Sequence, residues 1–281
     1  MNSGKIIIPA ITPFRNQQID GEAVEVMVEY AMKNRFDGLF AGSSTGGVAA
    51  LSYKKHKEVL KTYIDKITGN VTPLAGISRN DLDETTSLGK DAVDYGYRII
   101  VLINPYYHSY SDKTFLIYFS NVLESVDADF YLYNNPGLTG RNLKPEVVAT
   151  LHDKYPNVKG VKESSGDLGT FSKFLAIKGL EVFQGKDTLL YESMKMGSAG
   201  GICSSANFSL NTLKIAKDLP DSKESAEKVK KLMEVVSDYE NPVIHNYLFR
   251  KYIANESPSG YMRKPYSDLD SVPPEDIKNL L

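Results

Sequence analysis

Three short segments of this 281-residue chain carry side chains able to do chemistry. They are GSSTGG with Ser44 and Thr45, YNNPGLTG opening on Tyr133, and VKGVKESSG containing Lys162. A lysine amine adds to a ketone and, on losing water, becomes an iminium that accepts an electron pair. A phenol held beside such an amine can shuttle protons to and from the bound substrate. The plain alternative for Lys162 is a structural lysine paired with an acid elsewhere in the core. Lys186 is the rival amine, but its context, QGKD, reads as a solvated loop. The Gly-rich GSSTGG offers backbone N–H groups and two hydroxyls, which could hold a carboxylate or phosphate at a helix N-terminus. An ordinary Gly-rich turn with a helix cap is the bland reading. The same loop matches the hydrolase elbow G-x-S-x-G through Gly42, Ser44 and Gly46, a weak signal without a histidine in reach. His245 falls in a helical-looking segment and His152 near a helix end. Tyr106 and Tyr107, in NPYYHSY, suit rim packing as readily as catalysis.

The elements that position these groups follow from periodicity. Short apolar, β-branched runs occur at 5–11, 38–42, 71–77, 98–104, 129–134, 158–163, 181–185 and 200–204. They alternate with stretches such as SYKKHKEVLKTYIDKI and DKTFLIYFSNVLESV, whose apolar residues recur every three or four positions. Eight such units predict an α/β fold, a (β/α)8 TIM barrel over residues 1–215, with a small C-terminal helical region over 216–281. In a barrel of this kind, reactive groups belong at the C-terminal ends of the strands. Side chains alternate along a strand, so Phe130, Leu132 and Val161 are expected to face the helices and Tyr131, Tyr133, Gly160 and Lys162 the interior. Tyr133 and Lys162 are then neighbours. A lysine there loses hydration, a cost that a nucleophile justifies better than a bystander.

Composition excludes several other classes. The 33 basic and 35 acidic residues, net charge −2, are spread along the chain and offer no field for nucleic acid. Cys203 is the sole cysteine, which rules out an intrachain disulfide and suits a reducing, cytoplasmic setting. The opening MNSGKIIIPAITPF is too short an apolar run for a signal segment or a membrane span. His56, His108, His152 and His245 show no ligand spacing, so no metal is expected.

The three strand ends, in this order, resemble the dihydrodipicolinate synthase and N-acetylneuraminate lyase family of pyruvate-dependent class I aldolases. ITPF, GSSTGG, PYY, YNxPxxTG, GVKESSG and the late GGICSSAN all occur with family-like order and spacing, over nearly the whole chain. The resemblance implies that Lys162 forms a Schiff base with a 2-keto acid, with no other cofactor, and that Tyr133 relays protons. It assigns Ser44 and Thr45 to the keto-acid carboxylate, Ile202 and Asp187 to substrate contacts, and Tyr107 to a neighbouring subunit's site. It also implies a homotetramer, a dimer of dimers. Two departures bear on the substrate. Leu138 stands where the synthases carry an arginine for the carboxylate of aspartate semialdehyde, and an apolar side chain cannot supply that bidentate contact. Gly185, Lys186, Asp187 and Thr188 break the G-x-D-E pattern of the sialic acid lyases. The pattern is nearest to the 2-keto-3-deoxygluconate aldolases. A dihydrodipicolinate synthase is the runner-up, ahead of a sialic acid lyase. A serine hydrolase using Ser44 and a non-catalytic sugar-acid sensor are the readings from other classes.

Overall fold

The chain is described by a computed structural model covering residues 3–257 and 261–281. Residues 1, 2 and 258–260, which belong to the opening segment and to the tail SPSGYMRKPYSDLD, lie outside the described residues. Each apolar run forms a parallel strand: β1 (Lys5–Pro9), β2 (Gly38–Ala41), β3 (Thr72–Gly76), β4 (Ile99–Ile103), β5 (Asp129–Asn134), β6 (Val158–Glu163), β7 (Glu181–Gln184) and β8 (Gly200–Gly201). They pair in sequence order, and β8 closes the barrel against β1. The last strand is shorter than its run. Ile202 N still donates to the Gln184 carbonyl at 2.8 Å, but the chain then tightens into a 3-10 turn, Ser204–Asn207.

Strand alternation sorts the core into two layers. Ile7, Phe40, Leu74, Val101, Tyr131, Tyr133, Phe183 and Ile202 fill the barrel interior. Ile6, Ile8, Leu39, Phe130, Leu132 and Val161 face the surrounding helices, as the alternation of the sequence requires. Those helices are α1 (Gly21–Lys33), α2 (Tyr53–Lys66), α3 (Leu82–Tyr95), α4 (Asp112–Ser125), the single turn α5 (Pro136–Thr139), α6 (Pro145–Lys154), α7 (Leu168–Leu175), α8 (Leu190–Lys195) and α9 (Asn211–Lys217). Helix α2 shows how they form. The Ser52 hydroxyl accepts from Lys55 N at 3.2 Å, and His56, Val59, Leu60 and Tyr63 make one buried stripe at helical spacing. Losing such a cap costs about 1 kcal/mol.

Residue 215 falls inside α9. Beyond it lie α10 (Lys223–Ser237), α11 (Val243–Tyr252) and a 3-10 turn, Glu275–Leu280. Leu232 and Val236 of α10 pack with Phe208, Ile244, Leu248 and Ile277 in a separate cluster. The fully buried Arg250 ties α11 to the start of the chain through Asp20 at 2.8 Å and the Phe14 carbonyl at 3.2 Å. Among the described residues, no helix is long and apolar enough to cross a membrane.

Candidate active site

A cavity of about 430 Å³ opens at the C-terminal ends of the strands, and Ser44, Thr45, Tyr133, Lys162, Asp187 and Ile202 all line it. A larger one, about 780 Å³, lies at the opposite end, among Lys5, Arg35, Asp37 and Thr72. It contains none of the reactive strand ends, and that face of a barrel ordinarily serves stability, so volume does not select the site.

Tyr133 and Lys162 are register partners on β5 and β6. Lys162 is 4 % exposed, and its Nζ sits 4.3 Å from the Tyr133 ring centroid and 5.5 Å from that of Phe40. No carboxylate reaches Lys162 among the described residues, so its environment is two aromatic faces rather than an ion pair. The strand ends are locked just behind it. Asn134 donates to Glu163 at 2.6 Å and to Asn142 at 2.7 Å, while Glu163 accepts from Ser165 N at 2.6 Å. Desolvation raises the Glu163 carboxyl, since that group is buried behind the strands. Gly185 gives Lys162 its space: a Cβ there would collide with the Ser164 hydroxyl and lie 3.0 Å from Lys162 Cε.

The Tyr133 phenol is buried, which alone would push its pKa up. The Lys162 ammonium, the amide of Asn135 donating at 2.8 Å and the nearby Ser44 side chain outweigh that and hold it below the ordinary phenol value. A buried amine and an acidified phenol side by side at the barrel mouth can take a ketone through an imine and move protons around it.

The GSSTGG loop has a different local structure from the one expected. It does not lead straight into a helix N-terminus. Gly46 N and Gly47 N turn back to the carbonyls of Ser43 and Ser44, a 3-10 turn follows at Val48–Ala50, and α2 begins only at Tyr53. The Ser43 hydroxyl is structural, donating to the Ala10 carbonyl at 2.9 Å. Ser44 and Thr45 turn to the cavity, and their amide N–H groups donate to no other group among the described residues. An anion would meet a tight turn there and no helix dipole.

Asp187 lines the cavity but is anchored away from it. Its carboxylate accepts from Ser205 N at 2.7 Å, from the Ser204 hydroxyl at 3.1 Å and from Ser204 N at 3.3 Å, which caps the turn after β8. A carboxylate accepts about four hydrogen bonds, leaving one direction for anything in the cavity. Tyr107 stands apart. It is 88 % exposed, has a left-handed backbone (φ 82°), and does not line the cavity of its own chain. Leu138 and Lys186 sit exposed at the cavity mouth.

Three features escaped the sequence reading. Asn135 holds the Tyr133 hydroxyl, and its amide was visible inside YNNPGLTG. Met233, Val236 and Tyr239, in and just after α10, wall one side. His245, which the sequence places in a helical-looking segment, lines the same cavity. His152 is structural, its Nδ1 bonded to the Val158 carbonyl at 2.7 Å. Among the described residues, no cluster of three or more His, Cys, Asp or Glu side chains is arranged to hold a metal ion.

Residues 2–279 match the Dihydrodipicolinate synthetase family. A 2-dehydro-3-deoxy-D-gluconate/2-dehydro-3-deoxy-phosphogluconate aldolase from Picrophilus torridus is 31 % identical over 265 residues, 91 % of this chain and 97 % of the relative. A 4-hydroxy-tetrahydrodipicolinate synthase from Methanocaldococcus jannaschii is 28 % identical over 99 % of this chain and 97 % of the relative. Among solved structures, the 2-keto 3-deoxygluconate aldolase of Picrophilus torridus superposes with a TM-score of 0.87 at 30 % identity, covering 97 % of this chain and all of that one. A prophage protein of the dihydrodipicolinic acid synthase family from E. coli K12, in complex with pyruvate, gives 0.89 at 26 % identity over 99 % and 96 % of the two chains. With this fold, these strand ends and a match along its whole length, the chain belongs to the dihydrodipicolinate synthetase family and is an enzyme of its lyase class.

Proposed function

We propose that the chain is a pyruvate-dependent class I aldolase that reversibly cleaves 2-keto-3-deoxygluconate, or a related 2-keto-3-deoxy sugar acid, to pyruvate and glyceraldehyde. The observation that carries this reading is Lys162: buried at the barrel mouth, with no carboxylate partner among the described residues and 4.3 Å from the Tyr133 ring centroid. Lys162 Nζ adds to the C2 ketone, and water leaves to give a protonated imine. Tyr133 takes the proton of the C4 hydroxyl. The C3–C4 bond then breaks, its electron pair passes into the imine to form an enamine, and the aldehyde departs. Protonation of the enamine at C3 and hydrolysis of the imine release pyruvate and return the amine. Ser44 and Thr45 hold the carboxylate, Ile202 packs beneath it, and Asp187 offers its remaining acceptor to a substrate hydroxyl. The contribution of the first pair is positioning. No cofactor beyond the covalent imine enters this scheme.

The barrel, 1–215, then supplies the chemistry and the helical region, 216–281, one wall of the pocket. Tyr107, exposed and away from its own cavity, suits a role in a neighbouring subunit's site within a cytoplasmic homotetramer, a dimer of dimers. The runner-up, condensation of pyruvate with aspartate semialdehyde, has the synthase relatives in its favour and the apolar Leu138 against it. The hydrolase reading loses its support at His245, because neither ring nitrogen bonds Ser44 or any other group among the described residues.

The test is borohydride reduction with pyruvate, then with 2-keto-3-deoxygluconate, followed by peptide mass spectrometry. A pyruvate-sized adduct on Lys162 from both substrates is the expected result. Lys162→Ala should lose the adduct and turnover while staying folded. An adduct elsewhere, or turnover by that variant near the normal rate, removes the mechanism.

A further inference from the structure

His245 is 2 % exposed, it lines the cavity that holds Lys162 and Tyr133, and both of its ring nitrogens lack a hydrogen-bond partner among the described residues. A buried polar group left unpaired is costly, and two on one ring are hard to justify as packing. The Phe208 ring, 5.5 Å away between centroids, offers neither nitrogen a hydrogen-bonding heteroatom. Asp187, the charged group that acts on His245, makes no bond to either nitrogen and spends three of its acceptor positions on the turn after β8. A group that enters the cavity can therefore pair with this imidazole.

We infer that His245 is a specificity-determining residue that hydrogen-bonds a hydroxyl on the aldehyde-derived half of the substrate. Burial pushes its pKa down to about 4 despite nearby Asp187, so at neutral pH the ring is uncharged. A neutral imidazole has one N–H and one bare nitrogen, and a hydroxyl can accept a hydrogen bond from the first or donate one to the second. The position fits the distal half of a sugar acid. Ser44 and Thr45 face the keto-acid end on the second strand loop, whereas His245 comes from the helical wall with Val236 and Tyr239. A ring that is neutral, buried and unpaired discriminates against a substrate lacking the hydroxyl, because such a substrate forgoes the one hydrogen bond that the ring would make.

The assignment rests on the sugar-acid reading, and one experiment separates the two. The ratio of kcat/KM for 2-keto-3-deoxygluconate to that for 2-keto-4-hydroxypentanoate, which has no distal hydroxyls, is measured for the wild type, His245→Phe, His245→Ala and His245→Gln. The preference for the polyol is expected to fall about tenfold in the Phe and Ala variants, the scale of one neutral hydrogen bond, and to be largely restored by Gln, which keeps a donor and an acceptor. If His245→Phe does not fold, the Ala variant reads the same ratio. An unchanged ratio in a folded variant, with the wild type cleaving both compounds, overturns the assignment alone. A wild type that traps pyruvate on Lys162 but cleaves neither compound overturns the sugar-acid reading, and the assignment with it.

Discussion

Tyr133 and Lys162 are paired residues on adjacent barrel strands, and the ammonium lies 4.3 Å from the centre of the phenol ring. The charge acts on the phenol. The positive charge favours the phenolate, so it offsets the burial that would otherwise raise the Tyr133 pKa. In a pH titration of phenolate absorbance, the difference between wild type and Tyr133→Phe isolates this one ionisation. It should fall below the ordinary phenol range in the wild type and move upward once Lys162 is replaced by Met. A Tyr133 transition that ignores that replacement shows that the charge is not what tunes the phenol. In turnover, Tyr133→Phe should lower kcat by about 10²–10⁴, the usual weight of a positioned acid–base group.

Gly185 leaves no room for a side chain beside Lys162. A methyl group there would meet the Ser164 hydroxyl, the Glu163 carbonyl at 3.1 Å and Lys162 Cε at 3.0 Å. Two of these are side chains that can swing, so Gly185→Ala is expected to fold and to displace the lysine. Borohydride trapping of pyruvate should slow about 10²-fold or more, as expected when a reacting group is misplaced by about 1 Å. Trapping at the wild-type rate would mean the lysine tolerates the crowding.

The barrel and both faces of its strands were legible from the chain because a period of two cannot be confused with 3.6 over eight repeats. Lys162, Tyr133, Ser44 and Thr45 could be gathered from the ends of strands, since the fold fixes where strand ends meet. The anchoring of Asp187 could not: it depends on the 3-10 turn after β8, and the run through Ser204 read as strand. His245 was hidden for a similar reason. It sits among Val243, Ile244 and Leu248 on a buried helix, and only the docking of α11 onto the barrel mouth brings it to the cavity that Lys162 lines.

Buried neutral histidines make the fold sensitive to acid. His56 is fully enclosed, donates from Nε2 to the Gly76 carbonyl at 2.8 Å, and leaves Nδ1 unpaired among the described residues. Burial lowers its pKa from 6.5 to about 4. Because the folded value lies below the unfolded one, its contribution is complete above pH 6.5 and is lost as pH falls toward 4, where the unfolded chain takes the proton first. The loss attributable to His56 should approach roughly 3 kcal/mol between pH 7 and pH 4. Urea unfolding across that window should show a shallower decline for His56→Gln, which can still donate to Gly76 but does not titrate. Identical slopes for the two proteins would exclude His56 as the acid-sensitive group.

Tyr107 tests whether the site is completed by a second copy. It projects into solvent, 88 % exposed, on a left-handed residue of the loop after β4, where a bulky aromatic is held at some backbone cost. An exposed, strained aromatic outside its own cavity is explained if it reaches another subunit's cavity, and that arrangement permits complementation. Lys162→Ala lacks the amine and Tyr107→Ala lacks the lent ring, so each homo-oligomer should be inactive or nearly so. In a mixed dimer, one of the two sites combines the intact Lys162 of one chain with the intact Tyr107 of the other. Unfolding and refolding the two variants together at equal concentration should therefore restore roughly a quarter of wild-type turnover, from half the dimers mixed and one good site in each. Activity that stays at the sum of the separate variants would confine Tyr107 to its own chain or to the rim.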